Sequence, residues 1–305
     1  MAIDAVLLGT GGMMPLPGRW LSSLLIRAGG EVTLFDCGEG TQIAWRQAGW
    51  SFRRLGAICL SHHHADHVAG LPGLLHAVAN AGREDPLSIF GPAGTGRIVA
   101  ALRTIAPVLS YAVEVTELND GDALALPGGV VARVAAGEHG LPTIAFRVDL
   151  ARARRFLPDR ARALGVPQPL WRRLQDGEAV VWDGGAAEPD EVLGLPRRGV
   201  GLAYVTDTRP VPTLVQLVAG ADLLVCEGTY GDTADAAKAV ERGHMTFAEA
   251  AALAAAGGVG RLWLTHFSPA VEDPDAFLAN ATAVFPGTTA GQAGLATTLA
   301  FPAEQ

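Results

Sequence analysis

The run Ser61-His62-His63-His64-Ala65-Asp66-His67 constrains this chain more than any other feature. It follows residues 55–60, an apolar stretch that reads as a buried strand, and it precedes a helical pattern over 68–80. Alternate residues of an extended segment point the same way, so His62 and His64 can bind one metal ion together. Asp66 and His67, where the chain turns into the helix, can reach a neighbouring ion. Imidazole and carboxylate suit zinc, and also manganese or iron.

A two-metal site needs further ligands, and three candidates stand at the ends of β-like runs. His139 follows Gly137-Glu138, Asp207 lies in Tyr204-Val205-Thr206-Asp207-Thr208-Arg209-Pro210, and His266 lies in Leu264-Thr265-His266-Phe267-Ser268-Pro269. The chain has eight histidines. His63 and His76 are read as structural or exposed.

Around these points, residues 3–8, 22–27, 31–35, 55–60, 130–135, 143–148, 202–205, 223–226 and 262–264 read as strands. Residues 41–48, 68–80, 246–256 and 275–284 read as helices. Strands and helices in both halves predict an α/β chain with two sheets packed face to face and helices outside. Its 305 residues suit a single domain over 1–305. Within it, residues 151–177 hold seven arginines against two acids, +5 in a protein of net charge −8. We therefore expect a basic, arm-like insertion at about 151–200 that grips phosphates, with a solvated helical hairpin as the plain alternative. The negative balance elsewhere argues against a general nucleic-acid binder.

The alanine-rich stretch 246–264 is interrupted by Glu249, Gly257, Gly258 and Arg261, so it reads as helix, turn and strand, not a membrane span. Cys37, Cys59 and Cys226 form no zinc or disulfide pattern and read as small buried residues of a protein in a reducing compartment. With no basic stretch and long apolar run at the start, no signal peptide is expected. A cytoplasmic protein is expected.

The order of motifs resembles the metallo-β-lactamase superfamily and, within it, the ribonuclease Z family of tRNA 3′-processing endoribonucleases. The resemblance runs from Leu8-Gly9-Thr10-Gly11 through Phe35-Asp36-Cys37-Gly38-Glu39-Gly40-Thr41-Gln42 and the histidine motif. It continues through Ala163-Leu164-Gly165-Val166-Pro167, Pro169-Leu170-Trp171 and Gly177-Glu178-Ala179-Val180, which is similar to the family's tRNA-binding arm. Asp207-Thr208-Arg209-Pro210, Cys226-Glu227-Gly228-Thr229, Gly243-His244 and Thr265-His266-Phe267-Ser268-Pro269 complete it.

The resemblance implies a four-layer αββα sandwich with an inserted arm, two Zn²⁺ per chain, a precursor-tRNA substrate and a homodimer. His62, His64 and His139 would hold one zinc, Asp66, His67 and His266 the other, and Asp207 would bridge them. Asp66 would also accept a proton from the attacking water. His244 would sit beside the scissile phosphate, with Glu227 orienting it. The chain departs from the family's pattern at Pro15-Leu16-Pro17-Gly18-Arg19-Trp20, Gln168-Pro169, Met245, Ala270-Val271 and Gly291-Gln292-Ala293-Gly294. The alternative is an enzyme of the same fold that hydrolyses small phosphoesters, sulfate esters or lactones. A di-iron oxidoreductase of this fold usually carries glutamate where His64 stands, together with a flavin domain. A non-catalytic RNA-binding module would not need a complete ligand set.

Overall fold

Sixteen strands form among the described residues. In chain order they are β1 (Ala2–Gly9), β2 (Ser23–Ala28), β3 (Glu31–Phe35), β4 (Leu55–Cys59), β5 (Leu87–Gly91), β6 (Val113–Glu117), β7 (Ala123–Leu126), β8 (Val130–Ala136), β9 (Ile144–Arg152), β10 (Val180–Trp182), β11 (Gly185–Ala187), β12 (Arg197–Val205), β13 (Leu223–Glu227), β14 (Leu262–Thr265), β15 (Thr288–Ala290) and β16 (Ala296–Ala300). The computed structural model describes residues 1–303. It divides into one unit made of residues 1–150 and 200–300, and a second made of 151–199 with residues 301–303.

The first unit holds two seven-stranded sheets, ordered β16-β1-β2-β3-β4-β5-β6 and β15-β14-β13-β12-β9-β8-β7. In the first, Val6, Leu8, Leu25, Leu34 and Ile58 join Trp45, Leu74 and Leu75 in one buried cluster, so this face lies under the helices Thr41–Ala48 and Leu71–Asn80. Because side chains alternate along a strand, the intervening residues face the other way. Register places Leu7, Leu24 and Phe35 on that second face. There the Phe35 ring meets Phe146 at 5.5 Å and Tyr204 at 5.6 Å, joining the two sheets. The far face of the second sheet packs Ala203, Val205, Leu224 and Leu264 against Leu214 and Leu217 of helix Pro212–Val218 and Leu253 and Ala254 of helix Phe247–Gly257. The result is a helix–sheet–sheet–helix sandwich.

Each sheet has an antiparallel part and a parallel part. β3 through β6 run parallel, as do β12 through β15. Parallel strands end on a common edge, and side chains just beyond their carboxyl ends gather there. Asp36 follows β3, the histidine motif follows β4, Asp207 follows β12, Glu227 closes β13 and His266 follows β14.

The expected helix over 68–80 is two helices, Ala65–Val68 and Leu71–Asn80. The break falls at Gly70, whose N–H donates to the Cys37 carbonyl at 2.9 Å. A Cβ there would lie 2.0 Å from the Gly38 carbonyl oxygen, so a closely approaching backbone holds this corner of the site. The expected helix over 275–284 is a 3-10 turn, Pro274–Phe277, followed by helix Leu278–Thr282. The alanine-rich stretch is helix Phe247–Gly257, a left-handed cap at Gly258 and then β14. Among the described residues no helix is long and apolar enough to cross a membrane. The three cysteines are free and buried.

The second unit has a small core of its own. Ala161, Val166, Leu174, Val180, Ala187, Val192 and Leu193 are buried together, and Phe156 packs on Trp171 at 5.3 Å. β10 and β11 form a hairpin. Acidic residues beyond position 177 fold back on the arginines: Asp190 pairs with Arg154, and Glu178 pairs with Arg173 at 2.9 Å. Asp159 and Asp176 pair with Arg162 and Arg172. Over 151–199 there are nine arginines and seven acids, a net of +2. The excess found over 151–177 is thus largely balanced locally.

Candidate metal centre

Asp36 organises the floor of the site, and it is fully buried with φ of 56°. Its Oδ1 accepts the Ser61 N–H at 2.7 Å; its Oδ2 accepts Ser61 Oγ at 2.8 Å, His67 Nδ1 at 2.8 Å and Tyr204 Oη at 2.9 Å. Because the Ser61 hydroxyl proton goes to Asp36, Ser61 Oγ accepts from His62 Nδ1, 3.0 Å away. The same logic repeats on the other sheet. Thr229 Oγ1 donates to Glu227 Oε2 at 2.7 Å and so accepts from His266 Nδ1 at 3.1 Å. His139 Nδ1 donates to the Gly243 carbonyl at 3.0 Å.

Four imidazoles therefore have Nδ1 spent on an outer partner, which turns an Nε2 lone pair inward. Those atoms converge. His62 Nε2 lies 3.0 Å from His64 Nδ1, which lies 3.3 Å from His139 Nε2. His67 Nε2 lies 3.1 Å from His266 Nε2, and Asp66 Oδ2 lies 3.6 Å from the first and 3.4 Å from the second. Asp207 stands between the two groups. Its Oδ2 is 3.4 Å from His62 and 3.8 Å from His139, while its Oδ1 is 3.4 Å from His67 and 3.1 Å from His266.

This donor set fits metal ions. Lone pairs facing lone pairs at such distances make no hydrogen bond, whereas ligand nitrogens about 2.1 Å from a tetrahedral zinc stand about 3.4 Å apart. Electrostatics point the same way. Burial drives the His62 imidazole well below its ordinary range, helped by the charge of His67. Burial and His139 lower His64 as well. Burial also disfavours charge on His67, but Asp207 and Asp36 outweigh it and lift that imidazole to about 10. The carboxylates of the pocket call for positive charge, which a proton or a cation can supply. Burial raises Asp66 and Asp207; the histidines around each outweigh it and hold both carboxyls below the usual range.

His244 stands at the edge of this cluster. Its ring stacks on His266 at 5.5 Å and lies 4.9 Å from His139. Its Nδ1 is 3.2 Å from Glu227 Oε2, and Glu227 raises the imidazole to about 9 against the opposing effect of burial. Glu227, wholly buried, also accepts the N–H groups of Thr208 at 2.6 Å and Met245 at 2.9 Å. His63 instead meets Thr95 Oγ1 at 2.8 Å, and His76 is exposed.

Asp36, Ser61, Thr229 and Tyr204 lie within the motifs quoted above, but no spacing in the sequence gives them a role, and only the fold brings them to the imidazoles. Arg209 is similar: it donates to the His244 carbonyl and forms a forked pair with Glu249.

In comparison with known proteins, the chain matches the family described as "Beta-lactamase superfamily domain" over residues 32–196 and 192–267. It is 43% identical over 299 residues to the protein named Ribonuclease Z of Lachnoclostridium phytofermentans, with 98% of each chain covered. The protein of the same name from Lachnospira eligens is 43% identical over 303 residues, with 99% of each covered. Among solved structures, the short form of human tRNase Z aligns over 98% of this chain and 100% of its own, with a TM-score of 0.70 at 24% identity. The metallo-beta-lactamase fold protein YhfI of Bacillus subtilis aligns over 98% and 100%, with a TM-score of 0.71 at 20% identity. At those identities the two structures establish a shared fold.

Proposed function

This chain belongs to the ribonuclease Z family of the beta-lactamase superfamily, and on that premise we propose that it removes the 3′ trailer of precursor tRNA endonucleolytically with two zinc ions. The supporting observation is the convergence of His62, His64 and His139 on one side of Asp207 and of Asp66, His67 and His266 on the other, with four inward lone pairs fixed by outer hydrogen bonds. His62, His64 and His139 would hold one ion, Asp66, His67 and His266 the other, and Asp207, which stands between the two groups, would serve both. Manganese or iron would be accepted by the same ligand types.

Bound ions of this kind lower the pKa of water toward neutrality and neutralise charge developing on a phosphoryl group. The remaining work falls to the chain. Asp66, held ionised, would take up the proton of the attacking water. His244 is tied to Glu227 through Nδ1, which leaves Nε2 to donate a proton to the departing 3′ oxygen, so the tRNA body ends in a 3′-hydroxyl. The unit at 151–199 is read as the arm that holds the tRNA body through arginine–phosphate contacts. By kinship with the family the protein is read as a cytoplasmic homodimer.

Purified protein should cut a precursor tRNA carrying a 3′ trailer, hydrolyse bis-p-nitrophenyl phosphate and contain two zinc ions per chain by elemental analysis. Hydrolysis of small esters with precursor tRNA left intact would replace this reading with that of a small-ester hydrolase.

A further inference from the structure

Four non-glycine residues have positive φ among the described residues: Met13 (68°), Asp36 (56°), Asp207 (48°) and His266 (59°). Three of them build the metal centre, and aspartate and histidine are among the residues that tolerate this conformation. Met13 is the exception. It gains no local side-chain hydrogen bond, and a glycine would adopt the same backbone with less strain. Backbone strain of this kind gathers where function over-determines the structure.

The position of Met13 suggests what the strain serves. Its N–H donates to Asp66 Oδ2 at 2.7 Å, so the residue sits directly on the cluster, yet Met13 is 66% exposed and Met14 52% exposed. The loop beneath them is fixed. Gly12 N–H donates to the Phe267 carbonyl at 3.0 Å, and a Cβ on Gly12 would meet the His266 ring at 2.7 Å. Farther along, the Arg19 guanidinium donates to the carbonyls of Val271 and Glu272 at 2.7 and 2.6 Å. The two methionines are therefore held at the mouth by a braced loop. The hydrogen bond to Asp66 needs only the backbone of residue 13. It does not account for a large apolar side chain standing in solvent beside a centre otherwise built of imidazoles and carboxylates.

We propose that Met13, with Met14 beside it, contacts substrate: its thioether packs on the face of the nucleobase adjoining the scissile phosphate. A phosphodiester at the cluster necessarily brings a base on either side of it to the rim. Thioether sulfur meets aromatic rings favourably, and its flexible stem accepts any of the four bases. This inference rests on the ribonuclease reading.

The test is a double-mutant cycle on full-length protein. Precursor tRNA is used intact and with an abasic nucleotide at the last position of the body or the first of the trailer. Met13→Gly keeps the N–H, relieves the strain and removes the side chain. It should lower kcat/KM on intact precursor about tenfold, mainly through KM, with metal content unchanged, while Met13→Leu stays within about twofold of the parent. One of the two abasic precursors should lower the parent's kcat/KM by a similar factor, and Met13→Gly should lose nothing more on it. The proposal is overturned if Met13→Gly cleaves intact precursor like the parent, if its metal content falls with its activity, or if the losses multiply on both abasic substrates. If the parent fails to cut intact precursor at all, the ribonuclease reading falls and carries this inference with it.

Discussion

The tautomers of His62, His67, His139 and His266 are set by partners assigned to no metal. Asp36 is the sharpest case, since one carboxylate anchors His67 directly and His62 through Ser61. Asparagine keeps the size but offers one acceptor oxygen in place of two. Asp36→Asn should weaken metal binding about 10- to 100-fold, read by competition with a chelator, and parent-like retention would show that the hydrogen bonds do not tune the site. His244 tests the opposite role. With Nδ1 held by Glu227 and the ring stacked on His266, His244→Ala should cut kcat on a diester about 100-fold or more at unchanged metal content. Loss of metal along with rate would reassign it to the ligand set.

At the level of elements, the helix Phe247–Gly257 starts three residues after His244, and its capping residues brace that segment. Thr246 and Glu249 form a reciprocal capping box, and Glu249 also holds Arg209, which grips the His244 carbonyl. Burial raises the Glu249 carboxyl, but the hydrogen bonds from Arg209 and Thr246 prevail and place it below its ordinary 4.5. A carboxyl lowered by folding contributes stability above its unfolded pKa and loses it as pH falls through the folded value. Glu249→Gln should therefore lower Tm at pH 7 by about 2 °C, for a loss of about 1 kcal/mol, and the gap to the parent should close below pH 4. A gap that is constant across pH would mean that the glutamine loses packing, not charge.

For the whole molecule, charge is distributed unevenly between the units. The chain carries −8, while residues 151–199 carry +2. Four arginines of that unit are matched by acids, whereas Arg155 and Arg160 are exposed and have no acidic partner among the described residues. Arginine–phosphate contacts release counterions, so the salt dependence of binding counts them. Replacing both with glutamine should weaken tRNA binding and reduce the slope of log K against log salt by about 2. Hydrolysis of bis-p-nitrophenyl phosphate should not change, because every residue assigned to the metals lies in the other unit. An unaltered slope would move the tRNA contacts elsewhere.

Much of this could be read before any coordinates. The spacing of His62, His64, Asp66 and His67 is local, set by strand alternation and one turn into a helix, and so it is visible in seven consecutive residues. Strands β1, β3, β4 and β8 and helix Thr41–Ala48 were legible within a residue at each end because apolar periodicity and flanking glycines act over short range. β5, β6 and β16 were not, since they read as mixed runs whose partners lie far away in sequence. The arm's charge looked larger than it is because the acids that balance Arg154 and Arg173 come later in the chain. Asp36, Ser61, Thr229 and the strained Met13 acquire their roles only when distant strand ends meet on one edge. A single polar or apolar residue has no period to betray it; hydrogen bonds between segments as far apart as Asp36 and Tyr204 exist only once the sheets pack.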